Sequence, residues 1–498
     1  MRSAALSAAR LVLLAGPTGL AFFAGGYFDS PRAWAGLGAW ILVAVGLIAQ
    51  PRPRPRGRGV WLAFAGLGGL AAWTLISTVW SPIAGNAYHA GQIAVLYVGV
   101  LAAAALLLGA GRPQRAVEPA LAAGALVVIG YGISERLLPG LLSFARSLSA
   151  QGRLEQPLTY WNAMGEVAAL GLVLCTRVAG TATRAAWLRI ASAASCAPLG
   201  LGLYLSFSRG ALFAGAAGLV TLIVVAQRRE QLWSLLLAIV AGALASLASA
   251  PFRGVTTFSG SISTRERQGA ITLVALSVIM LGAAGWQGWL IRRERPAALR
   301  LPRRAPAIAA VVICAGLALA IAAGAKESST ASQPLSGGAT RYVTLQSNRY
   351  AYWRVALRAF GQQPLHGVGA GGWSVYWLRW RPFGEFAQDA HSLPLQTLAE
   401  LGVIGVGLLA TFLVGIAIAA RAAVRAAPGF AAGPIAGFVV WIAHAPLDWD
   451  WQMPAVTLIA MILAGALLAL ADGAAQSASA IRGASRAKIQ TANTQTPT

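Results

Sequence analysis

Long apolar runs recur along the whole chain, parted by short segments rich in Arg, and no other feature constrains the fold as much. About fourteen of these runs approach the roughly 20 residues that a helix needs to cross a bilayer. Inside a bilayer, backbone polar groups must be satisfied within the segment, so such runs form helices. Charged residues make up only 11% of the 498 positions, against about 25% in a soluble domain, which excludes a water-soluble globule. The expected fold class is therefore all-α: a polytopic transmembrane helix bundle of about fourteen spans. The net charge of +24 does not point to nucleic acid. The cations are almost all Arg and cluster between apolar runs, as the Lys/Arg bias of cytoplasmic loops requires. The expected partner is the lipid bilayer. Cys175, Cys196 and Cys314 lie in apolar runs without CxxC spacing, so neither a disulfide framework nor a zinc site is indicated.

With the N-terminus placed inside and the spans alternating, more than half of the 39 Lys and Arg fall inside, and most of the 15 Asp and Glu fall outside. This predicts a multi-pass membrane protein with both termini cytoplasmic. Residues 1–325 hold the first eleven spans with short loops. Residues 326–400 form a long, largely helical extracytoplasmic loop, 401–475 hold the last three spans, and 476–498 form a disordered cytoplasmic tail. Ser328–Thr340, rich in Ser and Gly, is likewise expected to be disordered. The first run lacks a small-residue cleavage site and reads as an uncleaved span.

The outer segments carry the polar chemistry. Arg209, in Ser208-Arg209-Gly210, sits in a very short outer turn close to the membrane plane, where ionisable groups are usually functional. Residues 347–360, SNRYAYWRVALRAF, have helical periodicity: Arg349, Trp353, Ala356 and Phe360 share one face, while Arg354 and Arg358 form a separate stripe. Arg349 is either presented to a bound anion or anchored on lipid headgroups, and anchoring is the better account of Arg358. The Gly-rich stretch 367–372 has no strand–helix context for a nucleotide, and its expected use is a close backbone approach. His391 precedes a helix start marked by Pro394, with Gly402 as a break before the next span. The helix dipole there favours a neutral imidazole, which a general base requires. The other histidines, His89, His366 and His444, also fall on or near the outer side. Asp448 and Asp450 flank Trp449 in the last outer turn, where they could orient sugar hydroxyls or pair with outer Arg residues.

Taken in order, these pieces resemble the O-antigen ligase and polymerase superfamily, integral-membrane glycosyltransferases of the GT-C kind. They are Gly152-Arg153-Leu154, Tyr160-Trp161-Asn162-Ala163, Ser208-Arg209-Gly210, Arg349-x-x-x-Trp353, Pro364-Leu365-x-Gly367-x-Gly369 and Ala390-His391-Ser392 running on to Leu398-Ala399-Glu400-Leu401-Gly402. The likeness covers about 150–455 and is most specific at 341–405. It implies a polyprenyl-pyrophosphate-linked glycan as donor, a hydroxyl acceptor, and an inverting transfer at the outer leaflet that needs no metal or other cofactor. It also implies His391 as the essential histidine and Arg209 with Arg349 as pyrophosphate-binding arginines. Arg153, Trp353, Glu400, Asp448 and Asp450 are further candidates for substrate contact. Two departures are the larger number of spans and Ser392, which stands where the family usually has Asn.

A polymerase of the same superfamily shares this donor chemistry. A lipid-linked oligosaccharide flippase is the reading from a different class; it calls for charges within the spans around a central cavity, whereas these spans are almost uncharged.

Overall fold

Ala- and Leu-rich sequence favours helix throughout, and among the described residues no strand forms. The computed structural model describes residues 2–49, 57–109, 112–294, 297–302, 304–325 and 347–493. Its helices are α1 (Arg2–Ala21), α2 (Asp29–Ala49), α3 (Arg58–Ile76), α4 (Ala84–Leu107), α5 (Arg112–Leu137), α6 (Trp161–Ala179), α7 (Ala186–Leu205), α8 (Arg209–Ala226), α9 (Arg229–Ser249), α10 (Arg253–Thr256), α11 (Ile262–Arg293), α12 (Ala305–Ala325), α13 (Arg349–Phe360), α14 (Trp373–Trp380), α15 (Leu393–Ala426), α16 (Pro428–His444) and α17 (Pro454–Asn493).

Twelve of these are long and apolar enough to cross a membrane, which makes this a multi-pass membrane protein. The two further spans expected at 307–325 and 430–447 coincide with α12, which is 21 residues long and carries an apolar stretch at Ala307–Gly316, and with α16, which is apolar but shorter. Helix α16 has 17 residues, a rise of ~25 Å against ~30 Å of hydrocarbon; Pro428 and Pro446 bracket it. Helix α16 runs antiparallel to α6. Arg177 Nη2 donates to Gly429 O at one end (2.6 Å), and His444 meets Glu166 at the other. Helix α17 continues to Asn493, so most of 476–498 is helical where composition predicts disorder; its Ala content favours helix. Ser328–Thr340 lies outside the described residues.

One end of the bundle is closed by ion pairs. Glu118 accepts from Arg177 (3.3 Å) and Arg184 (2.7 Å), and Arg189 grips Glu294 with two bonds (2.7 and 2.8 Å). The other end carries α13, α14, the loop 138–160 and the first turns of α15.

A break in α15 shapes that second end. Gly402 has φ 65° and ψ −164°, a backbone region open essentially to glycine. It interrupts the helical ladder, and neighbouring groups take the freed bonds. The carbonyls of Ala399, Glu400 and Leu401 accept from Val368 N (2.9 Å), Gly369 N (2.8 Å) and Trp73 Nε1 (3.1 Å). Val403 N donates to Pro364 O at 3.0 Å. The Gly-rich stretch therefore lies across the break, the close backbone approach expected of it. It is also pinned to the turn between α3 and α4: Ala370 N donates to Ser77 Oγ (3.1 Å) and Ser81 Oγ donates to Ala370 O (3.0 Å). A Cβ at Gly369 would come within 2.4 Å of Ser81 Cα, and one at Gly371 within 2.4 Å of Asn86 Cβ.

Candidate active site

A cavity of about 440 Å³ opens at the second end, between the start of α13, residues 385–391, the segment 147–162, Tyr27 and Trp449. Arg349, the first residue of α13, reaches into it. Its Nη2 donates to Asp448 Oδ2 at 2.6 Å. Asp448 also accepts from Tyr160 OH (2.7 Å) and Trp449 N (3.0 Å) through Oδ1, and Asn162 Nδ2 donates to the Tyr160 oxygen (2.7 Å). Burial alone would raise the Asp448 carboxyl, but Arg349 and then His391 beside it hold it below the usual range. Burial opposes the Arg349 charge, yet Asp448 outweighs it and keeps the guanidinium above its ordinary value. Burial and the neighbouring carboxylate push the Tyr160 phenol well up, so it stays a donor. The result is a fixed cation with a side-chain exposure of 22%, backed by a carboxylate at 0%.

His391 lines the same cavity. Its backbone is left-handed at φ 52°, a region that His tolerates better than most residues. Leu393 N donates to Ala445 O at 2.8 Å and Trp353 Nε1 to His391 O at 3.4 Å, holding the segment on both sides. His391 Nδ1 is 2.9 Å from Asp389 O. A carbonyl can only accept, so Nδ1 carries the proton and Nε2 is left as the basic nitrogen. Burial lowers the imidazolium, and Arg349 adds to the effect against Asp448. Helix α15 does begin just after His391, with Pro394 in its first turn, as the motif predicts; burial is the leading cause of the neutral form. Asp389 lines the cavity too. Its Oδ1 accepts from Gln396 Nε2 at 2.9 Å, and burial pushes its carboxyl up to about 6.

The remaining candidates are placed differently. Arg209 starts α8, half-buried, and is not among the described lining of the cavity. The following Gly210 packs on His444 and Leu447. Arg153 is buried; its guanidinium bonds the carbonyls of Ala150 (2.8 Å) and Ser149 (2.7 Å) and lies 3.7 Å over the Trp161 ring, which fixes its own loop. Trp353 is buried behind His391. Glu400 accepts from Trp373 N at 3.3 Å and so ties α14 to the α15 break. Asp450 faces away from Asp448, toward His444. Arg354 and Arg358 are exposed, with Arg358 stacked 4.1 Å over Trp380. His366 bonds its neighbour's carbonyl and sits edge-on to Trp80.

The residues that motif reading alone leaves out of the site are Tyr160, Asn162, Tyr27, Tyr352 and Trp449. Tyr160 and Asn162 belong to a recognised motif, so their signal is present, but their link to Asp448 spans 288 positions and is invisible to spacing. Residues 254–410, which include α13, α14, His391 and the α15 break, match the family described as O-antigen ligase (Wzy_C). The chain carries an O-antigen ligase domain. The protein is thus a membrane glycan-transferring enzyme of the ligase/polymerase type, which sets the flippase reading aside. No curated protein matched the chain. The O-antigen ligase domain supplies Arg349, Asp389 and His391, whereas Tyr160, Arg209 and Asp448 come from outside it.

Proposed function

We propose that the protein moves a glycan from a polyprenyl-pyrophosphate carrier to a hydroxyl acceptor at the outer face of the cytoplasmic membrane. The observation that supports this most is one cavity holding both a buttressed guanidinium, Arg349, and an imidazole, His391, whose Nδ1 proton is committed to a carbonyl. His391 Nε2 takes the acceptor proton as the hydroxyl oxygen attacks the anomeric carbon. The bond from that carbon to the pyrophosphate oxygen breaks, and the electron pair leaves with the pyrophosphate. Arg349, joined by Arg209 from the start of α8, receives the charge that develops. A single displacement inverts the anomeric centre. Following the family resemblance, no metal takes part. In this reading the cavity end faces outward and both termini are cytoplasmic.

Proteoliposomes loaded with a radiolabelled lipid-linked glycan test the reading. Label should pass to a hydroxyl-bearing acceptor with EDTA present and should stop with His391→Ala; transfer that persists in this variant would remove the histidine from the mechanism. Mass spectrometry of the product separates a ligase, which caps a different molecule, from a polymerase, which extends a lipid-linked chain. Orientation is tested in a variant with the three native Cys replaced. An impermeant thiol reagent on intact cells should label Gly384→Cys and spare Ala182→Cys, and the reverse pattern would invert the topology.

A further inference from the structure

Behind Asp448 lies a second group of ionisable side chains that the transfer chemistry does not use. Glu166 on α6, His444 at the end of α16 and Asp450 in the following turn are 0%, 0% and 1% exposed. His444 Nδ1 is 2.8 Å from Asp450 Oδ2 and 3.1 Å from Glu166 Oε2. Neither Glu166 oxygen, nor Asp450 Oδ1, nor His444 Nε2 has a hydrogen-bond partner among the described residues.

Two carboxylates around one imidazolium would leave a net negative charge sealed from water, which is strongly unfavourable. One further positive charge is needed, from a proton or a metal ion. The contacts favour the proton. The 2.8 Å separation is that of a charge-assisted N–H···O bond. The far side of the ring is closed by Gly210, where a Cβ would come 3.1 Å from both Nε2 and Cδ2. Two ligand atoms on one tetrahedral zinc, each about 2.0–2.1 Å from it, stand about 3.3 Å apart, wider than the 2.8 Å between His444 Nδ1 and Asp450 Oδ2. Glu166 is the carboxyl farther from the imidazole and has no donor, so it is the one that holds the added proton. Asp450 is the ionised partner.

This cluster fixes one side of the turn that carries Asp448. Leu447 N donates to His444 O at 2.7 Å. On the other side, Thr457 Oγ1 donates to Asp450 O (2.6 Å) and accepts from Trp441 Nε1 (3.2 Å). Asp448 stands between these anchors and meets Arg349. We propose that Glu166, His444 and Asp450 form a proton-sharing clasp that positions Asp448, and through it Arg349, for the pyrophosphate. The three are positioning residues, and the inference rests on the reading of Arg349 as a pyrophosphate ligand.

The test uses the full chain in lipid nanodiscs, with undecaprenyl pyrophosphate as probe and thermal unfolding followed in parallel. Asp450→Asn should weaken probe binding by about 10-fold or more, as should Arg349→Ala, while Glu166→Gln, which mimics a neutral carboxyl, should lose less than about 3-fold. Gly210→Ala presses a methyl on the His444 ring without changing any charge; it should weaken binding in the same direction and serves if Asp450→Asn does not fold. A purely structural role would lower the unfolding midpoint and leave the affinity of folded protein unchanged, which would overturn the clasp. Equal losses in Glu166→Gln and Asp450→Asn would overturn the proton assignment. One equivalent of a divalent metal in purified protein, removed by EDTA with the same loss of binding, would replace the clasp with a metal site. If Arg349→Ala binds the probe normally, the pyrophosphate reading itself falls. If only Arg349→Ala weakens binding, that reading stands and the clasp falls.

Discussion

Two guanidinium–carboxylate pairs at opposite ends of the bundle are built from the same parts. At one end Arg177 and Glu118 are 5% and 2% exposed, with Arg184 and Gly429 O completing their hydrogen bonds. At the other end Asp448 is equally enclosed, but Arg349 keeps 22% of its side chain open to a cavity that His391 shares. The first pair is satisfied on every side and ties α5, α6 and α16 together. The second has the same attraction and one open edge, so an anion can add to it without desolvating a new cation. What separates a strut from a binding group here is access, since charge and partner are alike.

The comparison is challenged hardest at His391. His391→Ala should cut transfer by about 10²–10⁴-fold while the unfolding midpoint stays near that of the parent; a retained rate would reduce the open end to a second strut. Arg177→Ala should do the opposite. Leaving Glu118 less well paired should cost about 3–5 kcal/mol of stability, read by unfolding in detergent, with the rate per folded molecule kept. A large loss of rate at constant stability would mean that the closed end also takes part in transfer. Arg209→Lys sharpens the contrast: it keeps the charge and loses the planar fork, so transfer should fall by about 10-fold with insertion unchanged. Full activity would make Arg209 an anchor on headgroups. The smallest effect concerns pH. His391 is lowered and Asp389 is pushed up to about 6, so both lose protons as pH rises toward 7. The rate should climb through the acid limb and level near neutrality. Asp389→Asn should make that limb shallower without moving the neutral plateau by more than a few-fold, and an unchanged slope would remove Asp389 from the titration.

Much of the frame is legible in the residues themselves. Apolar length reveals the spans, Pro394 and Gly402 mark a helix start and its break, and the 347–360 periodicity separates Arg349 from Arg354 and Arg358. The span count departs from the twelve long helices most clearly at α16, whose 17 residues fall just short, because hydropathy measures apolar content better than helical length. The partners are illegible for another reason. That Asp448 and Asp450, two residues apart, face different neighbours depends on the 3-10 turn Asp450–Gln452 and on side chains brought in by α6 and α13. Nor does Gly-Arg-Leu spacing say that the Arg153 side chain curls back onto its own loop.

The glycine stretch pinned to the turn between α3 and α4 bears on how far this enzyme can be taken apart. Gly369 and Gly371 fit because Ser81 and Asn86 occupy the space a side chain would need, and those residues lie far outside the matched segment 254–410. A chimera that transplants this segment alone into a related scaffold should arrive with a badly seated loop, whatever the quality of its catalytic residues. The unit of exchange, for a protein engineer and for recombination between genes, is the segment together with residues 77–86, and a swap that carries both should keep the loop in register with His391.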